Sequence, residues 1–314
     1  TIKNKLVSYI SDKTNTEINI DKLFLTFDGD IEIDGLYLED IKGDTLIYSK
    51  SLEANIALWP IITGKALGLD ALDWEGVRAK ILRKDTISGY NFEFLMNALP
   101  SSNTTEQPKD TTATPMQITL GKLNLKDFDV IYKDDVSGID SHFVFETLLA
   151  DMETTNIETM DFGAESLKLS DANIKFYQKP VLQIEEEPAT LPTLYAKTLE
   201  LKNVIADYKS EIDFIRIDAD INTLYAEVPN AELSSNTFNF EALRLENSSL
   251  KIYTETNKNS IEPDEVIAQN KTDEKLFVWP NLRLSVNNIT LIDNKIGYYI
   301  GQAETKNGVF NPNA

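Results

Sequence analysis

Around a central leucine, apolar residues recur in this chain at positions −5, −3, 0, +2, +7 and +9, and an internal repeat limits the architecture before any local motif is weighed. With Leu72 at zero, the first copy is Leu67, Leu69, Leu72, Trp74, Ala79 and Ile81. The second is Ile118, Leu120, Leu123, Leu125, Val130 and Tyr132, and the third is Phe162, Ala164, Leu167, Leu169, Ile174 and Phe176. Leu194, Ala196, Leu199, Leu201, Ala206 and Tyr208 make the fourth; Phe238, Phe240, Leu243, Leu245, Leu250 and Ile252 the fifth. The sixth reads Phe277, Trp279, Leu282, Leu284, Ile289 and Leu291. Every position is apolar, counting Ala and Tyr, in a chain that is 42% hydrophobic, so choice of frame alone does not produce the pattern.

The spacing has a structural meaning. Positions −5 and −3 share one strand face, as do 0 and +2, but the step of three between the pairs breaks the alternation and requires a bulge or bend. Between +2 and +7 lie segments such as Lys126-Asp127-Phe128-Asp129, Ser170-Asp171-Ala172-Asn173 and Glu246-Asn247-Ser248-Ser249, whose Asp, Asn and Ser favour turns. Each copy therefore reads as a bent strand and hairpin. Successive copies leave room for one or two more strands, as in Phe143-Val144-Phe145 or Ile212 to Ile221. The expectation is a mainly β, elongated antiparallel meander of about 14 to 20 strands, extending roughly 65 to 95 Å at 4.8 Å per strand. A sheet of that length with one continuous apolar face closes on itself, acquires a second layer, or leaves a groove.

Four segments follow. Residues 1–16 read as an amphipathic helix, with Ile2, Leu6, Val7 and Ile10 on one side. Residues 17–98 alternate as the first part of the groove, 99–116 form a polar, Thr- and Ser-rich flexible loop, and 117–314 continue the repeats. A second loop is expected near Glu255 to Asp273. No run reaches the roughly 20 apolar residues of a membrane-spanning helix. The chain opens at Thr1 without an initiator Met or a signal-like apolar segment, and the expectation is a piece of a longer protein.

Composition removes several classes. Asp and Glu outnumber Lys and Arg by 51 to 30, and a net charge of −21 opposes nucleic acid or an anionic surface as partner. Cysteine is absent and His142 is the single histidine, which leaves no thiolate chemistry and no His-rich metal site. Asp134-Asp135 and Glu185-Glu186-Glu187 read as solvated surface rather than an acid–base pair, and Asp28-Gly29-Asp30 as a turn lacking the other ligands of a calcium loop. The sequons at Asn103, Asn247, Asn270 and Asn288 follow from composition. No enzyme, metal or cofactor is expected.

IKNKLVSYISDKTNTEINIDKL, then DGDIEIDGLYLEDIKGDTLIYSKSLEANIALWPIITGK and ALDWEGVRAKILRKD, resembles the start of the periplasmic part of TamB-like proteins of the AsmA-like superfamily, in their Bacteroidota form. The detailed match spans Ile2 to Asp85. The resemblance implies an inner-membrane anchor before Thr1 and a taco-like β-groove crossing the periplasm of a Gram-negative bacterium. It further implies outer-membrane biogenesis by carriage of phospholipid, or assembly of outer-membrane barrels with a TamA-like partner reached through regions outside this chain.

The residues expected to line a lipid-binding groove are Leu123, Leu125, Val130, Leu167, Leu169, Ile174, Phe176, Leu199, Leu201, Phe238, Phe240, Leu243, Leu245, Leu250, Ile252, Leu282, Leu284, Ile289 and Leu291. Three alternatives stand beside it: a closed sandwich or barrel core made of the same residues, a scaffold that pairs with client strands, and a β-solenoid adhesin or carbohydrate enzyme. The small number of glycines, 13, and the irregular copy spacing disfavour the solenoid. Trp74 and Trp279 fit either core or lipid contact.

Overall fold

A computed structural model describes residues 2–26, 30–57, 66–98, 117–156, 161–181, 193–228, 230–232, 237–254, 283–300 and 309–310. Helix α1 (Ile2–Thr14) precedes β1 (Ile18–Asn19), β2 (Lys22–Leu25), β3 (Asp30–Glu39) and β4 (Thr45–Ala57). Strand β5 (Ala66–Arg83) leads to the short helix α2 (Glu93–Ala98) and then β6 (Gln117–Asp134), β7 (Ile139–Asn156) and β8 (Asp161–Gln178). The chain continues through β9 (Thr193–Ser210), β10 (Ile215–Glu227), β11 (Asn230–Glu232), β12 (Thr237–Glu246) and β13 (Ser249–Thr254). The last described strands are β14 (Arg283–Ile292), β15 (Lys295–Ile300) and β16 (Val309–Phe310). Both expected loops, 99–116 and Glu255 to Asp273, lie outside the described residues, as do Glu185-Glu186-Glu187 and Trp279.

All sixteen strands belong to one open, bent sheet, which begins with β1 and β2 on β3 and ends with β14 and β16. The sheet does not close, so the sandwich and barrel alternatives fall. It is mixed rather than the antiparallel meander expected: β5 and β6 are parallel, as are β8 and β9, β12 and β14, and β13 and β15. The reason is a three-strand unit. β3, β4 and β5 run up, down and up; β6, β7 and β8 repeat this, and so do β9, β10 and the pair β12–β13. Each new unit starts parallel to the strand that ended the last. The sequence frame matches only ascending strands, because a descending strand meets the same rows in reverse order.

The register reproduces the repeat. Row 0 runs Leu25, Ile31, Ala54, Leu72, Leu123, Ala150, Leu167, Leu199, Ala226, Leu243 and Ile289 across paired strands. Row +2 runs Leu23, Ile33, Leu52, Trp74, Leu125, Leu148, Leu169, Leu201, Leu224, Leu245 and Leu291. The sixth copy needs correction: Leu243 pairs with Ile289 and Leu250 with Ile296, so its zero is Ile289, not Leu282. Ile289 and Leu291 thus occupy rows 0 and +2 rather than +7 and +9. The slip arose because a shift of seven carries 0 and +2 onto +7 and +9, and −5 onto +2.

The hairpin read between +2 and +7 is also corrected. Four ascending strands continue unbroken for 18 residues, and the turn-forming residue at +4 bends them instead. Gly35, Gly76, Asp127, Asp171, Asn203, Asn247 and Asp293 all hold that place with φ between 47° and 68°. A left-handed residue inside a strand reverses the pleat phase, and Gly, Asn and Asp enter that conformation at least cost. Row +5 therefore faces inward together with +2, and the sheet folds along the line between them. The bend expected between −3 and 0 is present: pairing skips Asp70 and Gly121, Glu165 and Lys197, and Glu241 and Asn287. A Cβ at Gly121 would stand 2.1 Å from the carbonyl oxygen of Asp70, so only glycine permits this close approach.

At the N-terminal end the chain covers its own sheet. Ile18, Ile20, Leu38 and Leu46 form a buried cluster packed by Val7 and Ile10 of α1 and by Phe92, Phe94 and Leu95 around α2. The amphipathic helix is borne out, but Ile2 and Leu6 do not join that packing, and Ile2 points to solvent at 69% exposure.

Candidate functional site

The site is built from rows rather than from a cluster of reactive groups. Inward rows 0, +2, +5, +7 and +9 are apolar almost throughout. Row +7 reads Ile18, Leu38, Ile47, Ala79, Val130, Phe143, Ile174, Ala206, Ala219, Leu250 and Ile296. Row +9 reads Ile81, Tyr132, Ser141, Phe176, Tyr208, Ile217, Ile252 and Tyr298. The intervening positions face outward and are mostly charged or polar, as in Glu32, Glu53, Asp73, Asn124, Lys168, Glu200, Tyr225 and Arg244, with Leu149 among them.

Burial distinguishes the crease from the wings. Val77, Phe128, Ala172 and Val204 in row +5 are buried, as are Leu169 and Leu245 in row +2. Leu169, Ala172 and Val204 form a cluster with Phe145, Leu148, Leu167, Ile174, Leu201 and Ile221 packed around it. Away from this line the larger apolar side chains Leu123, Val130, Leu199, Phe240, Leu243, Leu250, Ile252 and Phe176 are half-buried, as is Leu125 of row +2, while the small Ala150, Ala219 and Ala226 among them are buried. The result is a trough with a dry crease and two open apolar walls. Phe176 stacks on Tyr208 with ring centroids 5.3 Å apart, which gives part of one wall a flat aromatic surface.

Most expected lining residues come together in these rows. Ile289 and Leu291 are in them but exposed at the sheet's end; Phe238 and Leu284 pair with each other at −5, and Leu282 lies outside the described residues. The further strands expected between the copies are the descending ones, and sequence reasoning missed that they complete the same rows, with Leu52 and Ala54, Leu148 and Ala150, and Leu224 and Ala226. The thrice-repeated Leu-x-Ala was the available signal. Trp74 belongs to the crease, where its Nε1 donates to Ser49 Oγ at 2.7 Å.

Polar chemistry gathers at one place on the wall. Asp134 is not solvated surface: it is 1% exposed. Arg83 Nε donates to its Oδ1 at 2.7 Å and Arg83 Nη2 to its Oδ2, while Ser137 Oγ and the Val136 amide also donate to it. Burial pushes this carboxyl up, but those donors outweigh it and bring its pKa down to about 2. Tyr90 and Tyr132 share a hydrogen bond at 3.0 Å beside it, and burial pushes the Tyr132 phenol up. Each polar group here is already held by another, so the cluster pins the segment entering α2 and offers no acid–base pair to a substrate. His142 lies on the outer face, its Nε2 2.7 Å from Asp129 Oδ1. Among the described residues no group of His, Asp or Glu is arranged to hold a metal ion, and no helix is long and apolar enough to cross a membrane. No protein-family model and no curated protein matches the chain.

Proposed function

We propose that the chain shields the acyl chains of phospholipid in this open trough, as part of an anchored bridge across the periplasm between inner and outer membrane. The observation that carries the reading is the continuity of rows 0 and +2 from β2 to β14 on a face that, among the described residues, no second layer covers beyond β6. Moving two acyl chains of around 16 carbons through water costs on the order of 20 kcal/mol at about 0.8 kcal/mol per methylene, and a continuous apolar wall removes most of it. The headgroup stays in water at the lip. The envelope setting and a TamA-like partner rest on the likeness of residues 2–85 to TamB-like proteins.

A photo-crosslinking residue at Leu123 or Leu199, on the half-buried inner wall, should capture lipid in cells, and one at Leu149 on the outer face should not. Equal labelling from both faces, or none from the wall, would defeat the reading. A scaffold for outer-membrane barrel assembly is the second reading, favoured by the edge of β14 on which no described strand lies. Crosslinks from that edge to nascent barrel proteins, with none to lipid from the wall, would support it.

A further inference from the structure

The two lips of the trough differ in chemistry. From β6 on, row −3 reads Leu120, Met152, Ala164, Ala196, Phe240 and Val286, none of which carries a hydroxyl, an amide or a charge. The opposite lip is rich in tyrosine. Row +9 holds Tyr132, Tyr208 and Tyr298, and row +10, beside it on the outer face, holds Tyr177, Tyr253 and Tyr299. All six are half-buried. The hydroxyls point away from the crease, to partners at +11 or in the turn beyond. Tyr132 Oη donates to Asp134 Oδ2 at 3.4 Å and Tyr177 Oη to Glu211 Oε1 at 2.8 Å, and Tyr298 Oη lies 3.2 Å from Thr254 Oγ1.

A tyrosine ring is apolar along its body and polar at its tip, so it settles where apolar material meets water. Charge alone does not separate the lips. Lys197 pairs with Glu153 and Glu165 on the −3 side, as Lys209 pairs with Glu211 and Arg216 with Asp218 on the other. At the tyrosine lip, however, the cations lie on the rings, Lys209 over Tyr177 at 4.8 Å and Arg216 over Tyr253 at 5.2 Å. Phosphate and ester oxygens only accept hydrogen bonds, so phenol, ammonium and guanidinium donors suit them, and row −3 has no side-chain donor to give. We propose that phospholipid lies in the trough in one orientation, its phosphate and glycerol along rows +9 and +10 and its acyl chains directed across the crease toward row −3. The inference rests on the lipid reading above and adds which lip meets the headgroup.

The chain has no cysteine, so a nitroxide can be placed on a single introduced one. Lys179, just after β8 at the tyrosine lip, and Glu165, near the other end of β8, are both exposed. The test loads Lys179→Cys and Glu165→Cys, each labelled, with phosphatidylethanolamine and reads the paramagnetic broadening of the bound lipid's phosphorus resonance. Broadening should be several-fold stronger from Lys179→Cys, and the preference should reverse for the terminal methyls of the acyl chains. Equal phosphorus broadening from the two positions, or stronger broadening from Glu165→Cys, overturns the orientation and leaves the lipid reading standing. A folded chain that takes up no phospholipid overturns both.

Discussion

Trp74 of β5 stands edge-on to Phe128 of β6, ring centroids 5.6 Å apart with 86° between the planes, and Phe128 in turn stacks on Phe145 of β7 at 5.0 Å. Trp74 belongs to row +2 and Phe128 to row +5, so the contact joins the two walls across the crease. Phe128→Ala should cost about 3–5 kcal/mol, the range for emptying an aromatic core position. Urea unfolding measures it. The same change at exposed Phe24 of β2 should leave the midpoint almost unmoved.

The left-handed residue at +4 shapes the trough. At Asn203, with φ 53°, substitution by valine should destabilise by about 1–2 kcal/mol or more, because a β-branched side chain crowds its own carbonyl there, whereas glycine should be tolerated or mildly stabilising. The contrast between the two variants in thermal unfolding separates backbone conformation from loss of the hydrogen bond that Asn203 Nδ2 donates to Asp171 Oδ1.

Crowding on the concave face can be measured directly. Ala226, 2% exposed and set between Leu199 and Leu243, should lose roughly 1–3 kcal/mol as leucine. Replacing Tyr225 by leucine, one residue along on the outer face, should cost less.

Asp134 gives the fold an acid-sensitive tie. Its carboxyl is held at about 2, below the ordinary 3.8, so its stabilisation is complete above pH 4 and is lost as pH falls through 2. The shift corresponds to about 2 kcal/mol. With Asp134→Asn, that part of the pH dependence between 4 and 2 should vanish in urea melts. Arg83→Met should cost roughly 3–5 kcal/mol at pH 7, because it strands a buried carboxylate, and adding Asp134→Leu to Arg83→Met should recover much of the loss.

How far the sequence disclosed this architecture follows from what a side-chain pattern encodes. Apolar spacing around Leu123, Leu167 and Leu199 reports which residues share a face, and those rows are the rows of the sheet. It carries no strand direction, so the parallel joins between β5 and β6 and between β8 and β9 were illegible. Asp127 and Asn203 suggested turns through their tolerance of a left-handed backbone, and the fold uses the same tolerance inside a strand. Asp134 looked solvated beside Asp135 because its partner, Arg83, lies in another strand and far away in sequence. Ala54, Ala150 and Ala226 escaped notice since alanine is common and each sits in a strand read backwards relative to the frame.

The most direct measurement of trough occupancy is native mass spectrometry on the chain purified without harsh detergent, with extraction and identification of any bound lipid. Co-purified phospholipid is expected. It should be lost when the half-buried Leu123 and Leu199 become lysine, and kept when Leu149 on the outer face does. The crease leucines Leu169 and Leu245 are unsuited to this comparison, because charge there attacks folding as well as binding. A folded chain that carries no lipid, or lipid bound equally by the wall and outer-face variants, would contradict a lipid-holding trough.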